Sequence, residues 1–208
     1  MISDCPLFLS NKTVFFEGNA MKKLGALILM ALLSFSVQAI ELDGVNLPDK
    51  IKAPDGKELL LNGAGMREKW FLDLYVGALY LEQHQSDAAK ILKANEDMAI
   101  HLKIVSGMIT SERFSSATLE GFENSMHGNT APLKTQIDSF METFKEPIKK
   151  GDVFEMVYVP NTGVQIYKNG TLKNTIAGEA FKEALFGIWL SDKPAQESLK
   201  KEMLGKKG

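Results

Sequence analysis

Cysteine is nearly absent from this chain: Cys5 is the only one in 208 residues. A lone cysteine closes no intramolecular disulfide and builds no cysteine-based metal site. Histidine is scarce as well. His84, His101 and His127 stand apart, without the short spacings that place two imidazoles on one metal. They read as surface or sheet-face residues, and no metal or other cofactor is expected. Neither sign of charge is in excess. A net charge of −2 leaves no basic domain of the kind nucleic acid usually requires. Catalytic signatures are missing too. Asn62-Gly63-Ala64-Gly65 lacks the lysine and the spacing of a phosphate loop. No serine sits in a nucleophile elbow, and no two carboxylates share an apolar stretch as an acid/base couple would. The composition, 45% hydrophobic and 24% charged, excludes wholesale disorder and a polytopic membrane protein.

What is present begins with a targeting segment. Met21-Lys22-Lys23 is a basic start, Leu24 to Val37 is uncharged and apolar, and Val37 and Ala39 are small residues placed for signal peptidase. The apolar run is too short to span a bilayer comfortably. We therefore read residues 21–39 as a cleaved signal peptide and residues 1–20 as an upstream extension or a mis-assigned start. Residues 40–208 then form one domain, exported to the periplasm, with no stable membrane span after cleavage.

Hydrophobic patterning in that domain predicts strands first. Leu47-Pro48 to Asp55-Gly56 is turn-rich with short β-like pieces, and Lys57 to Asn62 is a strand. Asn62 to Gly65 reads as a glycine turn, and Lys69 to Leu81 as one strand whose even positions are all apolar. Met98 to Val105 alternates again. Two helices are expected next. The first is capped by Thr110 and closed by Gly128, with Phe114, Thr118, Phe122 and Met126 on one face. The second is capped by Thr130, with Leu133, Ile137, Phe140, Met141 and Phe144 as its stripe. Strands follow at Val153–Val159, Val164–Lys168 and Thr171–Ile176, with Asn169-Gly170 as a tight hairpin. A helix over Glu179–Trp189 and a last one capped by Ser191 or Asp192 complete the order. Strands, helices, meander, helices is the α+β pattern, with helices layered on an antiparallel sheet.

Arg67 is the chemically unusual residue, placed between a glycine-rich stretch and a very apolar strand. An arginine facing the sheet–helix interior calls for an anion, because a buried unpaired charge is costly. An apolar cleft with one arginine suits a ligand with an oily body and one acidic end. An arginine facing solvent and paired with Glu68 or another carboxylate remains open on spacing alone.

Asn62 to Lys69, followed by Leu74-Tyr75-Val76-Gly77-Ala78-Leu79-Tyr80-Leu81, resembles the chalcone isomerase family, most of all its bacterial exported branch. The run from Phe186 to Pro194 and the close from Leu199 to Gly205 are similar to that branch too. The resemblance implies an open-faced β-sandwich, a large antiparallel sheet covered by a layer of helices with a ligand cleft between. It also implies one of two functions: intramolecular ring closure of a chalcone, or non-catalytic binding of a fatty acid. The family's motif arginine falls on Arg67. The enzyme's other residues do not carry over: their positions fall on Tyr75, Phe114, Gly121 and, nearby, Ala184, which leaves no hydroxyl or amide donor apart from Arg67 and Tyr75. The resemblance therefore leans away from an enzyme and toward a protein holding a fatty acid or similar amphipathic carboxylate. Arg67 and Tyr75 would bind the acidic end, with Phe114, Phe122, Phe140 and Phe144 as candidates for the oily wall. An isomerase acting on an enone or phenolic substrate is the alternative. A third reading is an interaction protein whose cleft has closed. One geometric condition attaches to the pair. Eight residues span roughly 27 Å along a straight strand, so Arg67 and Tyr75 can share a ligand only if the chain folds back near Trp70 to Leu72.

Overall fold

The structure is a computed structural model that describes residues 39–42 and 44–206. The upstream extension and, apart from Ala39, the signal peptide lie outside the described residues. Among the described residues no helix is long and apolar enough to cross a membrane. Gln38–Gly208 forms one compact unit.

The strands are β1 (Ala39–Leu42), β2 (Val45–Pro48), β3 (Lys50–Lys52), β4 (Glu58–Lys69), β5 (Leu72–Leu81), β6 (Met98–Ile104), β7 (Val153–Val159), β8 (Gly163–Lys168) and β9 (Thr171–Ile176). The helices are α1 (Ala88–Lys93), α2 (Ser111–Ser125), α3 (Lys134–Met141), α4 (Glu179–Leu190) and α5 (Glu197–Met203). Strands β3 to β9 form one seven-stranded sheet in chain order, antiparallel throughout. β1 and β2 pair as a separate hairpin. The expected α+β architecture is the observed one: a large antiparallel sheet with a helical layer.

Both faces of the sheet are covered, and β5 shows how. Tyr75, Leu79 and Leu81 point into a core shared with Phe122, Phe140, Phe181 and Leu199 of the helices. Val76, Ala78 and Tyr80 point the other way, into a smaller core with Leu47 of β2. A two-residue period with both faces buried makes β5 almost continuously apolar. The Tyr80 hydroxyl donates to the Pro48 carbonyl at 3.0 Å, tying the hairpin to the sheet.

Four local expectations are corrected. Asn62 to Gly65 is not a turn but the middle of β4. Its glycines serve close approach: a Cβ at Gly63 would collide with the Glu202 carbonyl, and one at Gly65 with the Glu202 side chain. Lys69 to Leu81 is not one strand. The chain reverses at Trp70 and Phe71, both at positive φ (52° and 65°), and β5 starts at Leu72. The last helix begins at Glu197, not at Ser191 or Asp192. Pro194 lies in the connection, where it biases Lys193 away from helical backbone. Thr130 also leads into a 3-10 turn, Ala131–Leu133, before α3, and its hydroxyl bonds Glu123 rather than the helix backbone. Helix α1 was not expected; Asp87 caps it by accepting from the Ala89 and Lys90 N–H groups.

Candidate functional site

The reversal at Trp70-Phe71 satisfies the geometric condition on the two candidate residues. Arg67 of β4 and Tyr75 of β5 are directly opposed register partners, and the register slips just beyond Arg67. Arg67 follows Gly63 and Gly65 on the same face of β4 at two-residue spacing, the face that α5 approaches.

Tyr75 is 8% exposed. Its hydroxyl oxygen accepts from Trp189 Nε1 at 3.0 Å, so its own proton is left to donate elsewhere. Burial pushes the phenol pKa up, against the opposing pull of the Trp189 bond and the Arg67 charge. Tyr75 is thus a neutral donor at ordinary pH.

Arg67 is half-buried. Its Nη1 donates to Gln196 Oε1 at 2.9 Å and to the Glu68 backbone carbonyl. Gln196 is itself fixed. Its Oε1 also accepts from the Glu68 N–H at 2.9 Å, and its Nε2 donates to the Met66 carbonyl at 3.2 Å and to Ser198 Oγ at 2.6 Å. Both partners of the guanidinium are neutral, and Arg67 forms no ion pair among the described residues. The pairing with the Glu68 carboxylate is replaced by a bond to that residue's backbone. A guanidinium has five N–H donors, and both of these bonds leave from Nη1, so its other nitrogens keep donors for the neighbouring Tyr75 hydroxyl or for an oxyanion.

Two lysines are more deeply buried, Lys168 beside a carboxylate and Lys182 on neutral carbonyls. Lys168 Nζ donates to the Pro147 carbonyl at 2.9 Å and stands 3.6 Å from Asp152. Lys182, fully buried, donates to the Leu92 and Ala94 carbonyls at 2.6 and 2.8 Å and lies over the Tyr158 ring. It thereby closes the C-terminal end of α1, and burial lowers its pKa.

The expected oily wall is a packed core. Phe114 and Phe144 have centroids 4.8 Å apart, Phe140 and Phe144 5.0 Å, and Phe122 and Phe140 5.8 Å. Phe154 and Phe181 join the same cluster. Two surface pockets lie elsewhere. One, of about 260 Å³, is lined by Glu82, His84, Lys90 and Asp97; the other, of about 200 Å³, by Asn95, Tyr158 and Glu179. Neither is lined by Arg67 or Tyr75.

Sequence reasoning missed Trp189 and Gln196. Trp189 looked like one more apolar residue on α4, and its indole N–H was the only hint of a second role. Gln196 carries no signal, because it reaches β4 from 128 residues away.

The molecule is therefore a helix-covered antiparallel sheet with an arginine and a tyrosine opposed at the turn end of its longest hairpin. A family profile described as chalcone isomerase-like matches residues 39–205, and the chain belongs to that family. Among solved structures it is similar to a fatty-acid binding protein of Arabidopsis thaliana. The TM-score is 0.65 at 15% identity, over 80% of this chain and 96% of that one. At that identity the likeness shows the fold alone. No curated protein matches the chain in sequence.

Proposed function

We propose that this protein is an exported binding protein that holds a fatty acid or similar amphipathic carboxylate by its acidic end. The observation that carries the reading is the half-buried Arg67, which has only neutral partners and stands opposite the buried Tyr75. A carboxylate accepts two parallel N–H bonds from a guanidinium, and the Tyr75 hydroxyl supplies a third donor while Trp189 holds its oxygen. The fatty-acid binding neighbour is consistent with such a ligand.

The test is native mass spectrometry of the exported protein purified without detergent, followed by solvent extraction and identification of what it carries. An acidic amphiphile is expected, together with an N-terminus at Ile40. Arg67→Ala should weaken its binding about 100-fold, since a charge-assisted bidentate contact is worth roughly 3 kcal/mol. Unchanged lipid content in Arg67→Ala would overturn the reading.

The filled interior favours a second reading, a closed-cleft interaction protein, because the six phenylalanines leave the middle of the helix–sheet layer packed. A protein that emerges empty and stays empty when offered fatty acids would support it. Chalcone closure has less support. Phe114, Gly121 and Ala184 provide no side-chain hydroxyl or amide, and Gly121 is packed so closely on Ile188 that a Cβ would stand 2.7 Å from its Cγ2. Loss of chalcone absorbance on mixing with the protein would revive it.

A further inference from the structure

The reversal between β4 and β5 carries the two most exposed large apolar side chains described, Trp70 and Phe71, with Leu72 beside them. Trp70 is 85% exposed, Phe71 104% and Leu72 42%. A fourth, Met108 at 51%, belongs to the same end of the sheet: its segment leaves β6 where the Val105 and Ser106 N–H groups donate to the Leu74 carbonyl. Of the exposed large hydrophobics among the described residues, only Leu119 and Leu172 lie elsewhere.

These side chains do not result from turn chemistry. Two-residue reversals with both φ values positive favour Asn-Gly, because larger residues are strained there. The chain uses that pair at Asn169-Gly170, with φ of 52° and 76°. At 70–71 it holds a tryptophan and a phenylalanine in nearly the same backbone, pointed at water. A strained turn that spends its two positions on aromatic rings is selected for what the rings touch.

We propose that the Trp70-Phe71-Leu72 tip, with Met108, docks the protein on a lipid bilayer by inserting into its interfacial layer. Area and shape favour lipid over protein. The tip is convex, two residues wide, and offers about 500 Å² of apolar surface, against roughly 800 Å² per partner in a stable protein interface. Lipid needs no complementary surface. Tryptophan, with an apolar body and one N–H, suits the headgroup boundary. Charge around the tip nearly cancels: Arg67, Lys69 and Arg113, whose guanidinium bonds the Met108 carbonyl, against Glu68 and Asp73 leave one positive charge, too little for electrostatic attraction to carry binding. The surface it fits is therefore neutral and zwitterionic, and the attraction is apolar rather than electrostatic. The docking stands whether or not Arg67 takes a ligand.

The unit Gln38–Gly208 should be mixed with phosphatidylcholine vesicles and followed by flotation and tryptophan emission. Omitting residues 1–37 removes the apolar run Leu24–Val37 as a source of binding. We expect co-flotation, a blue shift, and quenching by brominated phosphatidylcholine. The shift comes from Trp70, since the other tryptophan, Trp189, is buried against Tyr75. Trp70→Asn with Phe71→Gly, which restores ordinary turn chemistry and so keeps the fold, should lower partitioning at least tenfold. Raising salt from about 0.1 to 0.5 M screens surface charges and should change partitioning less than twofold. Leu172→Ser serves as the control and should leave it unchanged. Equal partitioning of the turn variant, no binding to these vesicles, or a tip-dependent dimer in sedimentation without vesicle binding would each overturn the proposal.

Discussion

The two two-residue turns of the sheet share nearly the same φ values and do opposite things with them. Asn169-Gly170 joins β8 to β9, and its residues serve the chain itself. Asn169 Oδ1 accepts from the Val153 N–H at 2.8 Å, its Nδ2 donates to Asp152 at 3.0 Å, and Gly170 takes its positive φ without a Cβ to strain. Trp70-Phe71 joins β4 to β5, and its residues give the chain nothing: both rings stand in solvent. The first turn is built for folding. The second bears strain, and it lies at the end of the sheet where Arg67 also lacks an acidic partner. Two locally unfavourable choices, an aromatic pair at positive φ and an arginine without an acidic partner, thus meet at one end of the sheet, and sequences depart from consistency where function asks for it.

The comparison is most directly broken by exchanging the turns. Asn169→Trp with Gly170→Phe should destabilise the protein by about 3–5 kcal/mol, from two strained residues and two lost hydrogen bonds. Space is not the cause, since a Cβ at Gly170 meets nothing within 4 Å. Urea unfolding would measure it. The reverse exchange, Trp70→Asn with Phe71→Gly, should stabilise by about 1 kcal/mol, the relieved strain less the extra freedom of glycine in the unfolded chain. A stabilising change that removes vesicle binding would separate the two roles. A destabilising one would mean that the rings pack in solution after all. Arg67→Ala should move stability by less than about 1 kcal/mol while emptying the protein of its carboxylate ligand. A loss of several kcal/mol would assign the guanidinium to folding instead.

The same two turns show what could be read from sequence. Asn169-Gly170 was legible because its residue types are dictated by the backbone, and the strands on either side were placed almost to the residue. Trp70-Phe71 was not, because neither type signals a turn and Lys69 to Leu81 alternates like a strand. Asn62 to Gly65 failed in the opposite sense. It looks like a turn, but its glycines answer to α5, which packs on β4 from the far end of the chain. Arg67 and Tyr75 were nameable through the family motif, and their opposition then depended only on where the chain reversed. Trp189 and Gln196 were beyond reach, because their partners are set by the meeting of distant elements. The helix stripes were legible as faces. That Phe114, Phe122, Phe140 and Phe144 close on one another, rather than line a cleft, follows from how the helices seat on the sheet.

A pH titration sharpens the contrast at its smallest scale. Asp152 is bound into the Asn169 turn. Burial alone would raise its pKa, but the hydrogen bonds from Asn169 and the Lys149 N–H, with the Lys168 charge, outweigh it and hold the carboxyl below its ordinary 3.8. A folded pKa below the unfolded one means that the unfolded chain takes up the proton first as pH falls. The contribution is therefore complete above 3.8 and is lost as pH drops through the folded value. Unfolding midpoints of the protein and of Asp152→Asn should differ at pH 6 and converge below pH 3.8. Trp70→Asn with Phe71→Gly breaks no carboxylate hydrogen bond, so its gain should hold across the same range. A gain that titrated would tie the aromatic turn to a charged partner and remove the difference between the two turns.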